Sequence, residues 1–250
     1  MCMTGNDKNL PTEKSSSTEV DAFLRDLAAV PARAPGAGAG RLLFAMDATA
    51  SREASWDQAA QIQHQMFEAT RGVGDLRIQL AFFRGFGEFK VTTWLDDADQ
   101  IHRLMSAVFC LAGETQIEKV LKHARNEAGR AGVRALVYVG DCCEENIDRL
   151  GSVAGELGLL GVPAFMFHEG ADPGAERAFR HIAKLSGGAY AHFDAHSADA
   201  LARLLKAVAV FAAGGRQALD ELARREGGDA LRLTDQMAAD PATGQMKRDT

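Results

Sequence analysis

The run FAMDATAS, residues 44–51, ends an apolar stretch on Asp47 and places hydroxyls two and four residues later, at Thr49 and Ser51. On a loop leaving a strand, alternate side chains can converge, and all three of these offer oxygen. Hard cations such as Mg²⁺ take oxygen ligands in near-octahedral geometry and usually keep several waters, so a few hydroxyls and one or two carboxylates suffice. The remaining donors must come from neighbouring loops. Thr115, in GETQIEKVL, opens an expected helix after a loop that Gly113 frees to bend, and Asp141, in YVGDCC, ends an expected central strand. Both fall where further ligands belong. The plainer alternative is that Asp47, Thr115 and Asp141 cap the helices that follow them, a common role for these residue types.

The elements that must position these residues follow from the hydrophobic periodicity. RLLFAMD (41–47), RALVYVGD (134–141), PAFMFHEG (163–170) and AYAHFD (189–194) read as strands, the second buried on both faces by its near-continuous apolarity. LRIQLAFFRG and FKVTTWL read as a hairpin, because Gly85 and Gly87 can supply positive φ in the turn. Helical patterns occupy 56–71, 97–110, 115–132, 146–161, 175–188 and 197–215, and a helical tail follows. The order predicts a doubly wound, Rossmann-like, mostly parallel six-stranded sheet with one antiparallel edge strand and helices on both faces. In such sheets ligands sit beyond the carboxyl ends of the strands, where strand order reverses, and Asp47 and Asp141 each terminate a strand at that end. Outside this unit, residues 1–18 are polar and Ser/Thr-rich and are expected to be disordered. Residues 19–40 are expected to form a short amphipathic helix, with Val20, Phe23, Leu24, Leu27 and Ala28 at helical spacing, then a Pro/Gly-rich linker. That stripe packs either on the main domain or on a partner. The domain itself is expected over 41–213, with a C-terminal helical tail of polar end over 214–250.

Composition excludes several function classes. The 250 residues carry a formal net charge of −6, against the basic face that a phosphate-gripping nucleic-acid binder needs. No apolar segment approaches the roughly 18 residues of a membrane span, and the N-terminus lacks a secretory pattern, so a cytoplasmic protein is expected. Cys2, Cys110, Cys142 and Cys143 lack Cys-x-x-Cys spacing and read as reduced thiols. GAGAG (36–40) precedes a strand rather than following one and is no dinucleotide loop.

Asp47, Thr49 and Ser51, then Thr115, then Asp141, in this element order, resemble the von Willebrand factor type A family. Its metal-ion-dependent adhesion site reads Asp-x-Ser-x-Ser, then a distant Thr, then a distant Asp, and the likeness covers roughly 41–213. The resemblance implies a non-enzymatic, bacterial protein-interaction module. It implies Mg²⁺ or Mn²⁺ held directly by the hydroxyls and largely through water by the aspartates. It further implies an open coordination position filled by an Asp or Glu of a partner protein. Thr49 departs from the family serine but keeps the hydroxyl. Glu114 stands where a glycine is often found, and is a candidate either to occupy the open position or to disfavour an acidic partner.

Other readings compete. An aspartate ending an apolar strand is also similar to the nucleophile of haloacid dehalogenase-like phosphohydrolases, but Asp141 is followed by Cys142 and Cys143 rather than the expected acidic pair. A third reading keeps the fold without the ion, as a scaffold. His192, Asp194 and His196 alternate as metal ligands on a strand could, though Ser197 capping the last helix accounts for the end of that strand. His168 and Glu169 are placed on the same rim as Asp141.

Overall fold

The computed structural model describes residues 40–53, 76–193 and 198–226. The helices expected at 19–30 and 56–71, the linker ahead of Gly40, Asp194, His196 and residues 227–250 lie outside the described residues.

Among the described residues six strands form one sheet: β1 (Gly40–Asp47), β2 (Leu76–Arg84), β3 (Glu88–Val91), β4 (Ala135–Gly140), β5 (Ala164–Glu169) and β6 (Tyr190–Phe193). Their spatial order is β3-β2-β1-β4-β5-β6, with every pairing parallel except β2 with β3. The antiparallel edge strand follows the expected hairpin, whose turn uses Gly85 at φ 58° and Gly87 at φ 102°. Both values lie in the region glycine enters without a Cβ penalty.

The chain steps from β1 to β2 on one side and later returns to β4 on the other, so strand order reverses between β1 and β4. Their register pairs Leu42 with Ala135 and Met46 with Val139, which brings Asp47 and Asp141 to neighbouring positions at the carboxyl edge. Both strands are buried on two faces, as their unbroken apolar runs require.

Among the described residues five α-helices cover the faces: α1 (Ala98–Ser106), α2 (Ile117–Ala131), α3 (Ile147–Leu159), α4 (Pro173–Ser186) and α5 (Ala198–Glu226). On one side Leu42, Phe44 and Met46 of β1 pack with Ile101 and Met105 of α1 and Leu205, Val208 and Phe211 of α5. On the other, Leu43 and Ala45 pack with Val120 and Leu121 of α2, Leu150 of α3, and Phe179 and Ile182 of α4. Odd and even positions of β1 thus serve opposite layers, the period-two consequence of the pleat.

One element end differs from the sequence reading. The helix expected over 97–110 stops at Ser106, because the chain must turn to run beside the loop after β1: Leu111 N–H donates to Ala48 O at 3.0 Å, and Leu111 pairs with Thr49. The final helical stretch reaches Glu226 but is broken at Gly215 (φ 68°, ψ −162°), where the last helix was expected to give way to the tail.

Candidate metal centre

Asp47 is the last residue of β1 and fully buried. Its Oδ1 accepts the Thr49 backbone N–H at 2.8 Å, which folds the loop back over the carboxylate and turns Thr49 toward it. The Thr49 and Ser51 hydroxyls then lie 3.1 Å apart, Ser51 falling in a single 3-10 turn, Ala50–Arg52. Among the described residues Asp47 Oδ2 has no hydrogen-bond partner, and neither has Asp141 Oδ1. Burial lifts the Asp47 carboxyl to about 6, against the pull of the Thr49 hydroxyl, and the nearby Asp141 charge pushes the same way as burial. Asp141 is also raised by burial, with the Ser51 hydroxyl opposing.

Four of the five residues singled out from the sequence are therefore linked through hydrogen bonds and charge: Asp47, Thr49, Ser51 and Asp141. Thr115 is buried on the adjoining loop, where its hydroxyl accepts the Glu144 N–H at 3.1 Å and its own N–H donates to Glu144 Oε2 at 3.3 Å. Glu114 is exposed, and its backbone N–H donates to Gly85 O at 3.4 Å.

The capping alternative fares poorly at two positions. α3 is capped by Asn146, whose side chain accepts the Arg149 N–H at 3.0 Å, leaving Asp141 outside that role. The first turn of α2 is capped by Glu145, whose carboxylate accepts from Ile117 N at 2.5 Å and Glu118 N at 2.9 Å, rather than by Thr115. Asp47 does satisfy a local backbone N–H, but with one oxygen only.

Arg52 was not singled out from the sequence. It is buried, and its guanidinium donates to Glu169 Oε2 at 2.9 Å, to Asp47 O at 2.9 Å and to Val139 O at 3.4 Å. One side chain so ties the carboxyl ends of β1, β4 and β5. Its charge lowers both aspartates, a smaller influence than burial. The sequence signal was an arginine directly after Ser51, a long charged side chain in a loop that starts from a buried strand. Glu169 is paired to Arg52, and the two aspartates offer the anionic oxygens that a hard divalent cation takes.

Among the described residues no group of three or more His, Cys, Asp or Glu side chains could hold a metal. A cation here therefore needs a mixed set of hydroxyls and carboxylates, suiting a hard ion rather than a soft one. The unmatched buried oxygens of Asp47 and Asp141, beside two hydroxyls, fit such an ion. His168 is buried with Nδ1 on the Tyr190 hydroxyl at 2.9 Å, and burial lowers it to about 4, keeping it neutral. His192 bonds Gly170 O. Cys110 and Cys143 are free thiols, and burial pushes both up to about 11.

Neither a protein-family model nor a curated protein matches the chain. Solved structures do. The SpRpn10 VWA domain superposes with a TM-score of 0.55 at 12% identity, over 67% of this chain and 94% of that one. The fold is that of a von Willebrand factor type A domain. A second type A-like match is an aerotolerance-related membrane protein of Bacteroides fragilis, at TM-score 0.52 and 16% identity, over 66% of this chain and 98% of that one. A third is proximal thread matrix protein 1 of the mussel byssus with a zinc-occupied metal-ion-dependent adhesion site, at TM-score 0.55 and 17% identity. There the likeness covers 70% of this chain and 46% of the mussel protein. Among the described residues, no helix of this type A-like chain is long and apolar enough to cross a membrane.

Proposed function

We propose that the chain is a non-enzymatic, cytoplasmic interaction module that binds Mg²⁺ or Mn²⁺ through Asp47, Thr49, Ser51, Thr115 and Asp141 and uses the ion to hold a protein partner. The observation that carries this reading is the buried Asp47 carboxylate, oriented through one oxygen and unmatched at the other, beside the Thr49 and Ser51 hydroxyls at the strand-order reversal. When bound, the cation supplies a Lewis-acidic position that an Asp or Glu of the partner can fill. The chain's own residues do the rest: Thr49 N–H fixes the Asp47 carboxylate, and Arg52 holds the ends of β1, β4 and β5 together. A phosphohydrolase role for Asp47 is disfavoured, since a nucleophile must reach its substrate and Asp47 is fully buried.

The test is retrieval of binding partners from a native lysate with and without chelator. Partners lost in chelator, restored by Mg²⁺ or Mn²⁺ and absent with Asp47→Ala are the expected result. Retention of the same partners in chelator would sink the bridging role and favour a metal-independent scaffold. One observation already leans toward a scaffold: the Thr115 hydroxyl is engaged by Glu144.

A further inference from the structure

Beneath the candidate site a third buried oxygen lacks a hydrogen-bond partner among the described residues, the Tyr138 hydroxyl. Tyr138 lies on β4 opposite Ala45 of β1, on the sheet face shared with Phe83 and Met166. The next residues on that face, one pleat nearer the carboxyl edge, are Asp47 on β1, Gly140 on β4 and His168 on β5, with Gly140 paired to His168. Gly140 contributes no side chain to this row, and the Tyr138 ring extends into the place left open: a Cβ at 140 would lie 2.5 Å from the hydroxyl oxygen and 2.8 Å from Cε1. The ring is gripped by Phe83, stacked at 6.3 Å, and by Phe179, edge-on at 5.3 Å, so its hydroxyl is aimed along the strand toward the row that holds Asp47.

Tyr138, like Asp47, is fully buried. Hydroxyls and carboxylates in protein interiors are rarely left unmatched, and a polar recess with two or more partners is where buried water resides. We propose that Tyr138 is a positioning residue of the cation site, its hydroxyl joined through a buried water to the unmatched Asp47 oxygen and so holding that carboxylate in its ion-binding orientation. The inference rests on the cation reading given above. In support, among the charges around Tyr138 that of Asp47 acts on it most strongly, after burial itself. Glycine at 140 and tyrosine at 138 form a matched pair: the one supplies the room that the other's hydroxyl uses.

Tyr138→Phe removes one oxygen and keeps both ring contacts. Mg²⁺ titration calorimetry on the full chain should show roughly tenfold weaker binding in the variant, the usual scale for groups that orient metal ligands. The variant should still fold cooperatively in chelator, because both ring contacts remain. Wild-type affinity in the variant would overturn the assignment of Tyr138 and leave the cation reading standing. A wild-type protein that takes up neither Mg²⁺ nor Mn²⁺ would overturn both. A second measurement keeps Tyr138 in place. Tyr190→Phe leaves Tyr138 as the sole tyrosine of the two in the chain, and Mg²⁺ should then perturb the tyrosine ultraviolet absorption. An unchanged spectrum at saturating Mg²⁺ would also overturn the proposal.

Discussion

Asp47 binds a proton more tightly in the folded chain, at about 6, than its ordinary value of 3.8, and burial is the main cause. Between those values the folded state holds more protons than the unfolded state, so without metal this group's contribution to stability declines as pH rises from about 4 to 6. A rise of that size corresponds to about 3 kcal/mol. Asp47→Asn removes the titration. In chelator the variant should therefore gain on the wild type by up to that amount between pH 4 and 7, and saturating Mg²⁺ should reverse the ranking at pH 7. Parallel unfolding curves for the two proteins across that range would contradict the account. A second residue-scale expectation concerns Glu169: Glu169→Ala strips the buried Arg52 of its carboxylate and should cost about 3 kcal/mol in chemical denaturation. Asp47, Thr49, Ser51 and Asp141 were legible in sequence because each stands at, or just beyond, the end of an apolar strand. Arg52 was not, because arginine is rarely buried and its acceptors lie on three strands, Glu169 being 117 residues away.

At the level of elements, α2 begins on a borrowed cap. The Glu145 carboxylate, from the loop after β4, accepts two N–H groups of its first turn, and the same loop holds Thr115. Glu145→Ala should cost about 1–2 kcal/mol in urea unfolding and weaken Mg²⁺ uptake by loosening the Thr115 loop. An unchanged transition would mean that water replaces the cap at no cost. The strands were readable because an apolar run between turn residues has few alternatives to a buried strand. Helix ends were less so: nothing local in SAVFC forbids helix, and α1 stops at Ser106 only because the next residues are drawn alongside the loop after β1. A cap supplied from 27 or 28 residues away carries no local signature either.

Across the whole molecule, alternation of strand and helix with one early hairpin sufficed to anticipate the doubly wound sheet with its antiparallel edge strand, whereas the reversal between β1 and β4 is a feature of the strand order in space. If the proposed cation binds, an ion at about 100 times its dissociation constant adds roughly 2.7 kcal/mol, which moves the midpoint by roughly 5–10 °C in a domain of this size. Mg²⁺ or Mn²⁺ should produce that shift in the wild type and not in Asp47→Ala. Gly40, at the start of β1, sits so close to the Ala212 carbonyl of α5 that any side chain there would collide with it. β1 then carries the chain about 23 Å to Asp47, at the opposite edge of the sheet. A surface tether joined just ahead of Gly40 would thus hold the domain by its base and leave the cation edge facing outward, an orientation suited to capturing partners on a sensor chip.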